Sequence, residues 1–236
     1  MRFDQTTFAP TDAVSGGALA AAAAVPTSTE SSLDRPRLLG TPEIISLHPL
    51  AVEILDGHRA HALGDDEGYR GYRGHVYRVL NFARALSANI DDRDAKLAIA
   101  AAFHDLDAFS ALDYLSSSIR AQDAWLRQTG RQAWASELAV VIAEHHRLTP
   151  YRGPHAPLAE AFRRADLVDL SQGLIRDGIP RPYVKAVRAA FDVGSFFTRV
   201  VPRAIVRNLR QHPLDPFPHM RARRALATAG HTGAEH

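Results

Sequence analysis

The stretch HVYRVLNFARALSA, residues 75–88, decides the structural class of this chain. His75, Val79, Phe82 and Leu86 fall at i, i+4, i+7 and i+11, one face of an α-helix rather than the alternation of a strand. The same period recurs on either side. Residues 92–104 place Leu97, Ala101 and His104 on a common face. Asp91, Asp92 and Asp94 stand at its start, where carboxylates favour the helix dipole. Residues 116–129 form a third candidate, with serines able to cap it and Gly130 positioned to end it. Residues 134–147 align Leu138, Val141, Ile142 and His145, and residues 158–170 follow Pro157. Residues 182–191 and 196–209 read as two further helices, the last disturbed by Pro202. No segment alternates convincingly as a strand. The expected fold is all-α, a single compact helical domain over residues 41–215.

The flanks read differently. Residues 10–36 are rich in Ala, Gly, Ser, Thr and Pro, with an alanine run over 18–24. Such composition buries little, so residues 1–40 are expected to be a mobile N-terminal segment and residues 216–236 a C-terminal tail. A signal peptide fits poorly, because Arg2 is cancelled by Asp4 and the apolar run is alanine rather than leucine. The expected location is cytoplasmic.

Composition narrows the function classes. The 236 residues hold 28 Lys+Arg against 26 Asp+Glu, a net charge of +2 with neutral His. With 46% hydrophobic and 23% charged residues, the bulk is that of an ordinary globular protein. No apolar run approaches the roughly 20 residues that span a bilayer, so no membrane partner is expected. Arg203, Arg207, Arg210, Arg221, Arg223 and Arg224 gather towards the C-terminus, and no Lys/Arg stripe there alternates with aromatics. They read as a solvated face and basic tail rather than a nucleic-acid groove. There are 12 His and no Cys. Disulfides, thiolate-bound zinc, iron–sulfur clusters and thiol catalysis are therefore excluded. Any metal site must use imidazole nitrogen and carboxylate oxygen.

The polar residues that interrupt the apolar faces supply that chemistry. His75 opens one helix, His104 and Asp105 end the next, His145 and His146 end the fourth, and Asp166 and Asp169 lie within the fifth. Buried His and Asp are costly unless paired, hydrogen-bonded or metal-bound. Groups on several helices can converge on one cation in a bundle core. Imidazole with carboxylate suits Mn²⁺, Fe²⁺, Co²⁺, Ni²⁺ or Zn²⁺ better than a cage for Ca²⁺ or Mg²⁺. Adjacent residues point about 100° apart on a helix. His104 and Asp105 can thus serve one centre only from the wall of a cleft, or serve two metals with Asp105 bridging. By the same rotation His145, on the apolar face, is the site residue and His146 points away. Asp169, one turn from Asp166, can exchange roles with it, stand behind it, or be a helix-surface charge.

The order of these residues is distinctive: His75 in HVYRV, the doublet His104-Asp105 in AAAFHDLDAF, then EHH at 144–146, then Asp166 in RADLVD. Over about residues 69–173 the chain resembles the HD-domain metal-dependent phosphohydrolase superfamily. The resemblance implies an HD-type helical core with His75, His104, Asp105 and Asp166 as ligands of a divalent metal, Mn, Fe, Co, Ni, Zn or Mg. It implies a small, phosphorylated substrate, a phosphate ester or nucleotide, attacked by metal-activated water. Asp105, His145 and Arg78 are then the catalytic candidates, Arg78 because its planar fork suits a phosphate. As a plain helix residue, Arg78 would be exposed or ion-paired. Family members with two metals usually carry two separated histidines between the doublet and the last Asp. Residues 106–144 contain none, which favours one metal.

Other residues have weaker claims. Asp107 is either an acid/base beside the metal or a cap for the next segment. Arg70, Tyr72 and Arg73, in GYRGYRGH at 68–75, either line the mouth or belong to a plain glycine-rich loop. His155 lies on an expected loop. Two alternatives keep the fold: a hydratase resembling cyanamide hydratase, and an HD-type iron oxygenase, against which the missing separated histidines count. A non-catalytic HD-fold binding protein would be expected to have lost ligands, and all four are present.

Overall fold

The helical period is realised as seven α-helices among the described residues, with no strand between them: α1 Pro49–Ala62, α2 Asp66–Leu86, α3 Arg93–Phe103, α4 Tyr114–Gln128, α5 Ala135–Glu144, α6 Ala156–Leu170 and α7 Arg181–Ala190. A single 3-10 turn, Gln132–Trp134, leads into α5. The computed structural model describes residues 42–62, 66–108 and 114–194, and the single positions 197, 198, 202, 206 and 210. All of them belong to one unit, Arg35–His236. The expected N-terminal segment 1–40, the tail 216–236 and most of the helix expected over 196–209 lie outside the described residues. Among the described residues, no helix is long and apolar enough to cross a membrane.

Helix α2 is the axis of the arrangement. It packs against α3, α6 and α7, while α4 and α5 pair with each other and α5 also meets α6. Its Val76, Val79, Leu80 and Phe82 join Leu97 and Phe103 of α3, Val141 and Ile142 of α5, and Phe162 and Val168 of α6 in one core. Fully burying a side chain of this kind contributes about 1.5–3 kcal/mol. That gain offsets the cost of carrying polar groups into the same interior. Helix α1 is not among the helices expected from the sequence. It covers α3, and Ala51, Ile54 and Leu55 give it an apolar face at i, i+3 and i+4.

The loop expected at 68–75 is instead the first half of α2. Its glycines serve close approach rather than chain reversal. A Cβ on Gly74 would lie 1.9 Å from the Asp192 carbonyl oxygen, and a Cβ on Gly194 would lie 2.9 Å from the Gly71 Cα. The segment that leaves α7 is thus laid directly on the α2 backbone. The serines expected to cap near residue 116 lie inside α4, which already begins at Tyr114. Gly130 does close that region, with a positive φ of 69°.

Two glycine substitutions should therefore move stability in opposite directions. Gly57 is exposed on α1, with nothing within 4 Å of where a Cβ would stand. G57A should stabilise the protein by about 0.5–1 kcal/mol, the ordinary gain inside a helix. G74A has the same propensity gain but must push the Asp192 carbonyl aside, and should lower the thermal midpoint. Thermal unfolding of both variants beside the wild type checks the pair; shifts of the same sign would contradict the close contact.

Candidate metal centre

Two helix faces and two helix ends deliver the polar residues to one place. Helix α2 presents His75, and α6 presents Asp166 and Asp169. Helix α3 stops at Phe103, so His104 is its C-cap and Asp105 lies in the turn beyond. Helix α5 stops at Glu144, so His145 is its C-cap and His146 lies beyond. The backbone at both caps is still helical, φ −55° and ψ −40° at His104 and φ −63° and ψ −30° at His145. The His145 and His146 rings are 3.9 Å apart, centroid to centroid, and both reach the Asp105 carboxylate. Contrary to the sequence expectation, His146 joins His145 at the centre, because the Asp105 and Asp166 carboxylates stand where both rings reach them.

The distances define a compact group. His75 Nε2 is 3.0 Å from His104 Nε2, 3.5 Å from Asp166 Oδ1 and 3.9 Å from Asp105 Oδ2. His104 Nε2 is 3.7 Å from Asp105 Oδ2 and 3.9 Å from Asp166 Oδ1. On the other side, Asp105 Oδ1 lies 3.3 Å from His145 Nε2 and 3.6 Å from His146 Nε2. Asp166 Oδ2 lies 3.6 Å from His146 Nδ1. Each carboxylate thus gives one oxygen to the His75/His104 side and the other to the His145/His146 side. Among the described residues, three overlapping sets could each hold a metal ion: His75, His104 and Asp166; His104, Asp105 and His145; His145, His146 and Asp166.

The hydrogen bonds behind the rings fix what faces the centre. His104 Nδ1 donates to the Ala101 carbonyl at 2.8 Å, and His145 Nδ1 to the Ile142 carbonyl at 2.7 Å. His75 Nδ1 donates to Asp169 Oδ2 at 2.7 Å. Carbonyls and carboxylates only accept, so a neutral ring spends its one N–H there and turns a bare Nε2 inward. Two such nitrogens face each other beside two carboxylates, and Asp166 Oδ1 is buried without a hydrogen-bond partner. A group made of acceptors is satisfied by a cation, and back-side bonds of this kind orient metal-ligating imidazoles. The nitrogen and oxygen set fits a divalent transition metal.

Electrostatics agree. Burial lowers His104 to a pKa of about 3, so its ring is neutral and able to ligate. Burial alone would raise Asp105 and Asp166, but the imidazoles around them prevail. His104, His145 and His146 hold Asp105 well below the usual carboxylate range, and His146, His145 and His75 hold Asp166 low. His146 runs the other way: burial would lower it, but its contacts with Asp105 and Asp166 push it up to about 10.

Asp169 does not exchange places with Asp166. It is buried behind His75 and takes a fork from Arg78, Nε to Oδ1 at 2.7 Å and Nη2 to Oδ2 at 3.1 Å. The remaining Arg78 nitrogen, Nη1, donates to the Asp192 carbonyl at 2.7 Å. Of the three catalytic candidates, Asp105 and His145 meet at the centre, while Arg78 stands behind it. Tyr72 is buried, its hydroxyl donating to the Ala102 carbonyl at 3.0 Å, so it supports the His104 end rather than lining a mouth. Arg70 is exposed, and Arg73 lies over the Tyr77 ring. Asp107 accepts from Ser117 of α4, tying the turn to that helix. His155 precedes α6 and meets Ser136, outside the three metal-capable sets. Tyr114 is a residue the sequence reading missed. Its hydroxyl bonds to His146, which lies 32 residues on, and no local pattern marks that pairing.

No family model, curated protein or solved structure matches the chain.

Two expectations follow. D169N keeps the shape and removes the charge that holds His75, so it should bind Co²⁺ about 10–100-fold more weakly. D166N, which removes a ligand, should lose more; calorimetric titration of the folded variants reads both. His104 also sets a pH dependence. Its folded pKa is about 3 against an ordinary 6.5. The unfolded chain then binds the extra proton first, and stability falls as pH drops from 6.5 towards 3. The slope from this one group is up to about 1.4 kcal/mol per pH unit. Urea midpoints of the chelator-treated protein should show that slope, and H104Q should flatten it.

Proposed function

We propose that this chain is a metal-dependent hydrolase of the HD type that cleaves a phosphate ester or nucleotide with activated water. The observation that supports it is the convergence of His75, His104, Asp105 and Asp166, in the HD order, around the unpartnered Asp166 Oδ1. A divalent cation held there supplies a water of lowered pKa and offsets charge developing on the substrate. The protein's own groups do the rest. Asp105 and Asp166 keep the two histidine pairs in register, one oxygen to each side. His145, fixed by the Ile142 carbonyl, aims Nε2 at Asp105.

Access is set by His146. Its side chain is 20% exposed, against 7% or less for the other cluster members. Substrate and water thus reach the centre beside it. The Tyr114 hydroxyl bonds to the His146 ring there, and burial followed by the Asp105 charge pushes the Tyr114 pKa well above its ordinary value. Tyr114 keeps its proton, and with His146 it forms the pair placed to protonate a leaving oxygen.

One observation favours a second reading. The Arg78 fork is committed to Asp169 and the Asp192 carbonyl, so the cation that the sequence offered to a phosphate is engaged elsewhere. Addition of the same activated water to a small neutral nitrile such as cyanamide needs no such cation.

Metal analysis and turnover test these readings. The purified full chain should carry a transition metal, and H104A and D166A should bind it more than about 100-fold more weakly. Phosphorylated metabolites and cyanamide are then assayed with Mn²⁺, Co²⁺, Ni²⁺ and Mg²⁺ in turn. Phosphate release supports the first reading, and urea formation from cyanamide the second. Oxygen uptake with substrate contradicts both. So does a wild type that binds none of these cations.

A further inference from the structure

Helix α4 carries buried polar atoms that the metal centre does not use. Ser118 Oγ and both Gln122 side-chain atoms, Nε2 and Oε1, have no hydrogen-bond partner among the described residues, and both residues are 0% exposed. An unpaired buried amide is costly, and an apolar residue of similar volume would avoid that cost. The position of these atoms gives them a direction. Tyr114, Ser118 and Gln122 stand at i, i+4 and i+8, one face of α4. Tyr114, at the head of that face, touches His146 at the exposed corner of the cluster. Helix α4 packs on α3 and α5, the helices whose ends carry His104-Asp105 and His145-His146. The unpartnered atoms therefore lie on the α4 face that begins at Tyr114, about one and two turns along the helix from it.

We propose that Ser118 and Gln122 bind the non-reacting end of the substrate, an uncharged group of the carboxamide or urea class that both donates and accepts hydrogen bonds. The inference rests on the reading that the cluster is a catalytic metal site. The chemistry of these atoms selects the class. The Gln122 amide offers two donors and an acceptor, and the Ser118 hydroxyl offers one donor and accepts in turn. Neither residue carries charge, so a carboxylate or ammonium group buried against them would lack a counter-charge. A carboxamide matches donor to acceptor on both sides. Sites built in this way discriminate strongly against analogues that lack the polar group.

S118A and Q122L in the full-length, Co²⁺-loaded chain test the assignment. Both variants should unfold at or above the wild-type midpoint, because each removes an unsatisfied polar group, and both should hold Co²⁺ as tightly as the wild type. Acetamide and urea, titrated calorimetrically, should bind saturably to the wild type and about tenfold more weakly to each variant. For any substrate the assays turn over, KM should rise with kcat largely kept, the signature of lost uniform binding. Acetamide and urea binding as tight in S118A and Q122L as in the wild type would overturn the proposal. So would a Co²⁺-loaded wild type that binds neither probe. A wild type that holds no Co²⁺ is a separate outcome, which rejects the catalytic reading and this inference with it.

Discussion

The buried carboxylate of Asp169 is the interaction on which the centre depends. It joins α6 to α2 twice, through His75 Nδ1 and through the Arg78 fork, and Arg78 extends the link to the Asp192 carbonyl. A buried charge is tolerable only when its lone pairs are filled, and here a full guanidinium fork and an imidazole N–H fill them. Burial opposes the Asp169 charge, but the His75 and Arg78 contacts keep its pKa below the usual value. The consequence is geometric. His75 cannot rotate without breaking this link, so its Nε2 stays aimed at His104, Asp105 and Asp166. Gly74 has the same logic: no side chain fits between α2 and the Asp192 carbonyl that Arg78 holds.

On that support the fold concentrates acceptors where water barely reaches. Burial keeps His104 neutral, while the surrounding imidazoles keep Asp105 and Asp166 ionised against the same burial. Imidazole nitrogens with two carboxylates form a donor set matched to a divalent cation. The two doublets at the ends of α3 and α5 complete the convergence, each adjacent pair reaching the centre from two directions. His146, the residue beyond the α5 cap, is the partly exposed one.

The sequence carried much of this, unevenly. The helical period placed six of the observed helices, and α1 had a readable apolar face at Ala51, Ile54 and Leu55. The glycines at 68, 71 and 74 looked like a loop because the segment 192–194, which packs on Gly71 and Gly74, comes much later in the chain. Arg78 looked available because its carboxylate is 91 residues away. His146 looked turned outward because the carboxylates it meets, Asp105 and Asp166, lie on other elements 41 and 20 residues away. Tyr114 carried no signal, since its partner lies at another helix end.

What the sequence determined by itself is the helical class and the identity and order of the donors. Both are local properties: a period of 3.6 residues and a choice of side-chain chemistry. What only the tertiary structure decided is which atoms of those donors meet. It set Nδ1 outward and Nε2 inward on three rings, gave Arg78 to Asp169 rather than to a ligand, and brought His146 and Tyr114 to the exposed corner. The physical reason is that hydrogen-bond direction and burial are fixed by neighbours distant in the chain, and no local period records them.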